Sequence, residues 1–379
     1  MPQSRVFAQR ISSESSAEQV ADGMAQLLDR FDLPRLFGGK TVLVKPNLCG
    51  ESGPANTDPR VVYGVVRALQ PIASRIIVGD GAVIGTETTT VINDSGLRET
   101  LRGTRAEVVD FKSGRYVEIH LANGRCTKKM MIAEAAVNAD AIVSVAKLKT
   151  HDATGVSLAM KNLKGLLHEY DMLHFHHVNL SECIVDLVSA FRPALSVIDG
   201  LIALDAFGAG AVEMNVVLAG EDPVAVDATA SRAIGVDPVN IYSGTLNESH
   251  IKRANERGLG EITNIEVIGD LPQAHFQSPP TSLSQIQTPE GMEIIDGDPC
   301  PACIGMLASV LQKLKQGSKQ SENTMILVGP KAPPPEKTKG RTIIIGNCLH
   351  RLQSESEGSA FVIGCPPNAT YDVLPTLEA

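Results

Sequence analysis

The chain has 379 residues, of which 43% are hydrophobic, 20% charged and 4% aromatic, a balance that belongs to a folded soluble protein with a sizeable core and excludes a disordered, collagenous or disulfide-packed one. Lys and Arg number 34 against 43 Asp and Glu, a net charge of −9; this is the wrong sign for a general nucleic-acid or anionic-membrane binder, so any anion site must be local. No apolar stretch of signal-peptide length opens the chain and no run of about 18 apolar residues follows, so the expectation is a cytoplasmic protein without a membrane partner.

Residues 16–31 carry apolar positions at helical spacing after a Ser cap, and Thr41–Lys45 is a short apolar run suited to a buried strand. An amphipathic helix over Val61–Leu69, a strand at Arg75–Val78 and a helix from about Thr88 to Leu101 continue the alternation. Apolar runs at Ala141–Val145 and Ala194–Ile198 end in Lys147/Lys149 and Asp199. Such strand ends are where open α/β sheets place ligand-contacting groups. Asp222-Pro223 reads as a cap and first helical residue, with the helix stopped by Gly235. The fold class is therefore α/β, a mainly parallel helix-covered sheet followed by a second, smaller α/β C-terminal domain. Residues 1–270 form the main unit, the Pro-, Ser- and Gln-rich residues 271–289 a linker, and residues 290–379 the small cysteine-bearing domain.

Four of the seven cysteines crowd that last unit. Cys300 and Cys303 form a CxxC at a helix start, Cys348 follows one strand, and Cys365 follows another and precedes Pro366-Pro367. Thiolates near a helix N-terminus suit a metal, and one CxxC joined by two lone cysteines favours a [4Fe–4S] cluster over zinc, which more often takes paired CxxC motifs. Cys49, Cys126 and Cys183 are scattered and read as small buried hydrophobes.

A second constellation is basic. Lys45-Pro46-Asn47 follows a predicted strand, and Lys147, Lys149, His151, Lys161, Asn162, Lys164 and His168 fall within 22 residues. If a helix runs from about Thr154, positions 161, 164 and 168 share one face, making a local carboxylate or phosphate site in an acidic protein. His174, His176 and His177 offer metal ligands or a general acid/base if the segment is extended. Asp199 would orient a lysine or bind a cation, while Asp227, in an apolar helix, calls for a structural partner. Gly79-Asp80-Gly81 and Gly85 approach a dinucleotide fingerprint, but the last glycine comes one position late, so nicotinamide binding is set aside.

KPNL (45–48), TDP (57–59), KLKTH (147–151), MKNLKG (160–165), VIDG (197–200) and GEDPVAVD (220–227) occur in order. Over about residues 40–240 the chain resembles the family called domain of unknown function 362. The resemblance implies a redox or cofactor-related enzyme, because members often carry iron–sulfur clusters through ferredoxin-like CxxCxxCxxxCP runs. This chain lacks those runs; its GCPP end looks instead like cluster-ligand turns of some respiratory and hydrogenase subunits.

The expected function is an iron–sulfur oxidoreductase or electron-transfer protein acting on a small anionic substrate or cofactor and served by a redox partner protein. Lys147, Lys149, His151 and Lys161 are the candidate catalytic residues. Lys45, Asn47, Asn162, Lys164, His168 and Asp199 are the candidate anion-binding ones, and Cys300, Cys303, Cys348 and Cys365 hold the metal. The alternatives are a ligand-binding or cofactor-delivery protein with structural zinc, and a metal-assisted lyase, hydrolase or isomerase using the histidine segment.

Overall fold

A computed structural model describes residues 3–49, 53–241, 248–277, 279–316, 323–335, 340–353 and 358–378. The strands are β1 (Ser4–Arg10), β2 (Thr41–Pro46), β3 (Arg75–Asp80), β4 (Ala106–Asp110), β5 (Tyr116–His120), β6 (Lys129–Ala133), β7 (Ala141–His151), β8 (Gly155–Ser157), β9 (Leu195–Asp205), β10 (Gly210–Gly220), β11 (Ile265–Gly269), β12 (Met292–Asp296), β13 (Thr324–Val328), β14 (Arg341–Ile345) and β15 (Ala360–Val362). The large sheet has the order β11-β1-β10-β9-β7-β2-β3-β4, with β8 folded back on β7. Strands β9, β7, β2, β3 and β4 run parallel, so their C-terminal ends meet on one edge.

Alternating side chains along these strands enter two cores. Val42 and Val44 pack with the helices Ala17–Leu28 and Pro59–Leu69. Leu43 packs on the opposite face with Leu180–Ala190 and Pro223–Ala233. Ser16 starts the first helix through a reciprocal capping box with Gln19, worth about 1 kcal/mol. Burial of Val20, Met24, Leu27 and Leu28 then holds it on the sheet, and Met24→Ala would cost about 2–5 kcal/mol.

Two helices differ from the sequence expectation. The helix expected from about Thr154 is instead the short strand β8, a helix Ala159–Asn162 and a 3-10 turn Leu163–Leu166. Gly155, at φ +72°, reverses the chain so that Thr150 pairs with Val156. Asp227 then sets the later helix start by accepting the Ala159 and Met160 N–H groups at 2.8 and 3.0 Å. The helix expected over 88–101 is split into Thr88–Asp94 and Leu97–Thr100 at Gly96, φ +74°.

The C-terminal sheet is all parallel, in the order β12-β13-β14-β15. Met306, Leu307 and Val310 of the helix Pro301–Gln316 pack on Ile326, Val328, Ile343 and Ile345. Between β11 and β12 the described residues include the 3-10 turn Leu283–Gln285, and the segment is pinned to the first unit by buried Phe276 and by the Gln277 N–H donating to Asp205. Among the described residues no helix is long and apolar enough to cross a membrane.

Candidate functional site

The shared strand edge carries two buried ion pairs. Lys45 at the end of β2 lies 2.6 Å from Asp80 at the end of β3, and Lys147 of β7 lies 2.9 Å from Asp199 of β9. Burial pushes the Lys45 ammonium down and the Asp80 carboxyl up from their ordinary values, and each is opposed by the other's charge. Lys45 also donates to the Pro46 carbonyl (2.8 Å) and Asn162 Oδ1 (3.2 Å). Asn162 Nδ2 returns to the Lys45 carbonyl and Ser144 Oγ, tying β2 to β7. Asp199 accepts from the Asp58 and Leu201 N–H groups. Lys147 and Asp199 thus brace the loop that follows β2 from beneath.

Above this edge opens a cavity of about 420 Å³. Lys45, Asn47, Lys149, His151, Lys161, Asn162 and Lys164 line it; Lys147, His168 and Asp199 do not. His168 is an exposed cap, its Nδ1 accepting the Tyr170 N–H of the helix Glu169–Val178. Lys149 donates to the Ala55 carbonyl at 3.0 Å. His151 Nδ1 lies 2.9 Å from Asp152 Oδ1; burial, then the Lys161 charge, pushes the imidazole down to about 4, so it is neutral at pH 7. Burial pushes Lys164 down to about 8, and its Nζ lies 3.2 Å from His176 Nε2. Lys161 is half-buried, and burial followed by the Lys164 and Lys149 charges holds it well below the usual lysine range.

The second unit closes the cavity. Met306, Lys313 and Asn368–Tyr371 line its far wall, and the Tyr371 hydroxyl donates to the Ile84 carbonyl. The segment His174–His177 is helical rather than extended, because His168 caps it and Met172 and Phe175 bury on its inner face. That winding aims the His176 ring into the cavity, with Nδ1 buried and without a partner among the described residues. The backbone of the same turn meets the cysteine loops: Cys365 N–H donates to the His176 carbonyl at 2.7 Å, and Asn347 Nδ2 to the His177 carbonyl at 2.6 Å.

Strands β14 and β15 are neighbours, so the turns after them place Cys348 and Cys365 at the edge where the helix bearing Cys303 begins. A β-carbon on Gly346 (φ +101°) would lie 3.6 Å from Cys348 Sγ and 3.9 Å from Cys303 Sγ, so the glycine leaves a cradle between two sulfurs. Hydrogen bonding by the Cys303 thiol, assisted by the Cys303 and Ala302 N–H groups, pulls Cys300 down to about 6. Burial, then the Cys300 and Cys348 charges, pushes Cys365 up to about 12. Among the described residues no three His, Cys, Asp or Glu side chains already stand as a shell that could hold a metal ion. Cys300 and Cys303 share a hydrogen bond, and the charges of Cys348 and Cys365 act on Cys303, so the four thiols are neighbours without forming a closed ligand shell.

Sequence reasoning missed Cys49, Asp80, Asp152, Lys313 and Tyr371 as cavity residues. Asp80 had a signal, a polar residue closing an apolar strand; Cys49 reaches the cavity on the loop after β2 and Tyr371 on the helical turn Ala369–Val373, paths that no spacing announces. Asp227 is structural, as expected, and its burial, against the two N–H groups it accepts, raises it to about 7.

Residues 42–232 match the family described as domain of unknown function (DUF362). The thylakoid-associated protein sll1697 of Synechocystis sp. (strain ATCC 27184 / PCC 6803 / Kazusa) is 26% identical over an alignment of 222 residues that covers 55% of this chain and 68% of that protein. Among solved structures, the lactate racemase apoprotein from Thermoanaerobacterium thermosaccharolyticum aligns over 96% of this chain and 88% of its own at 11% identity and TM-score 0.38. A Thermotoga maritima protein aligns over 60% of each chain at 10% identity and TM-score 0.34. Likenesses at these scores say nothing about chemistry.

Proposed function

The chain belongs to the DUF362 family, and from its cavity and cysteine turns we propose that it is a cytoplasmic iron–sulfur oxidoreductase or electron-transfer protein acting on a small anionic substrate or cofactor. The observation that carries this reading is the 2.7 Å bond from Cys365 N–H to the His176 carbonyl, because the ring of the same residue faces the lysine cavity beside Lys164. One helical turn therefore separates the two constellations. Cys300, Cys303, Cys348 and Cys365 would hold a [4Fe–4S] cluster, which when bound supplies single electrons. A redox partner protein would deliver them.

The remaining work falls to the chain's own side chains. The Lys45–Asp80 pair is internally neutral, so Lys149 and Lys164 face the cavity as cations with Asp152 as the nearby carboxylate. That excess of positive charge in a partly desolvated space binds an oxyanion. Asn47 Oδ1, buried without a partner among the described residues, accepts a hydrogen bond from the ligand, and neutral His151 hydrogen-bonds to it without adding charge.

The test is iron, zinc and acid-labile sulfide analysis of protein purified without oxygen, with visible spectra before and after dithionite. About four iron and four sulfide per chain, with bleachable absorption near 400 nm, would support the reading. One zinc and no sulfide would overturn it and make the cysteines structural. Calorimetric titration with inorganic phosphate and with oxalate tests the anion site separately; Lys149→Gln and Lys164→Gln should each weaken binding, and unchanged affinities would remove the lysines from the site.

A further inference from the structure

We propose that Lys161 is a nucleophilic amine that forms an imine with its ligand, so that the cavity takes a small oxo acid or a phosphorylated aldehyde or ketone. This rests on the anion-site reading above and names the substrate class for it.

The neighbouring lysines are engaged: Lys45 with Asp80, Lys147 with Asp199, Lys149 with the Ala55 carbonyl, Lys164 with His176 and Lys313 with Thr370 Oγ1. Lys161 lines the same cavity and has no hydrogen-bond or ion-pair partner among the described residues. Its backbone is held on both sides, by the Asp227 carboxylate at the start of its short helix and by Asn162 clamped to β2 and β7. A lysine fixed in place, with Asp152 near but no direct ion-pair partner among the described residues, and set among other cations favours the free amine, which is the nucleophilic form. Its low proton affinity agrees with that placement. The same surrounding cations attract a carboxylate or phosphate, and a carbonyl one or two bonds from that anion is then delivered to Nζ.

The step balances without an oxidant or reductant. The Nζ lone pair forms a bond to the carbonyl carbon, and the oxygen takes up a proton. It then leaves as water while the nitrogen lone pair forms C=N, and the amine loses its two protons in the exchange. His151, neutral and hydrogen-bonded to Asp152, lines the cavity as a group able to pass a proton to the departing oxygen.

The test incubates the full chain, purified without oxygen, with pyruvate, oxaloacetate or pyridoxal 5′-phosphate at substoichiometric concentration, then sodium cyanoborohydride, and reads intact mass and peptide maps. A single reduced adduct on Lys161 with at least one probe, suppressed by excess inorganic phosphate, supports the inference. Lys161→Arg should lose the adduct. Adducts spread over surface lysines, or none with any probe, would overturn it, and mapping the wild-type chain gives that answer even where the variant does not fold. Phosphate binding without Lys161 modification refutes the imine and leaves the anion site standing; no anion binding refutes both.

Discussion

Replacing Lys45 with Met isolates the energetic role of the strand-edge ion pair. The two charges are 2.6 Å apart with side chains 1% exposed on each side, so little water reaches the Asp80 carboxylate to replace the lost ammonium. Removing one partner of such a pair costs about 3–5 kcal/mol. Asp80 keeps the Leu48 N–H at 2.7 Å and the Gly81 N–H, which moves the expected loss to the lower end, about 3 kcal/mol, or roughly a hundredfold in the folded-to-unfolded ratio. In Asp80→Asn the side-chain oxygen still accepts from Leu48 N–H, while the Lys45 amine, with two acceptors left and no counter-charge, sheds its proton. The double variant therefore costs less than the sum of the singles, with a coupling of about 1.5 kcal/mol or more. The chain has no Trp, so urea unfolding of the four proteins is best followed by far-ultraviolet circular dichroism. A Lys45→Met loss under about 1 kcal/mol, or additivity within about 0.5 kcal/mol, would refute the reasoning.

Asp227 makes stability pH-dependent. Its folded value of about 7 lies above the ordinary 3.8, so between those values the folded chain holds more proton than the unfolded one and stability falls as pH rises, by up to about 1.4 kcal/mol per pH unit. Asp227→Asn should flatten the unfolding free energy between about pH 4 and pH 7, and an unchanged slope would contradict the assignment. Gly346→Ala forces a β-carbon into the positive-φ cradle beside Cys348 and Cys303, a strain of about 1–3 kcal/mol at that turn. Iron content should fall while phosphate binding and the circular dichroism spectrum are retained; full iron loading would show that the cradle is not used.

The parallel α/β layout was legible because its strands are short apolar runs separated by amphipathic helices, as in Thr41–Lys45 followed by Val61–Leu69. Strand β7 was legible only to Val145. Its continuation through Lys147 and Lys149 reads as a loop until Asp199 and the Ala55 carbonyl are seen to receive the two ammoniums. Strand β10 went unread because its polar Glu213 and Asn215 precede the buried run Val216–Gly220. The lysines and His151 announced a basic site by proximity in sequence, but a helix wheel misassigned His168, since Gly155 and the cap at Asp227 shift where winding begins. The role of His176 depends on three-dimensional docking of a turn some 190 residues later, which no local pattern encodes.

That docking has a consequence for the order of assembly. Residue 176 leaves the ribosome long before Asn347 and Cys365, and its carbonyl and that of His177 are the acceptors those later residues need. N-terminal units generally fold first during synthesis, so the acceptors are already in position when the last cysteine turns emerge. The C-terminal strands are thus completed against a finished template, and a circular permutant that synthesises them first would have to shape those turns with the template absent.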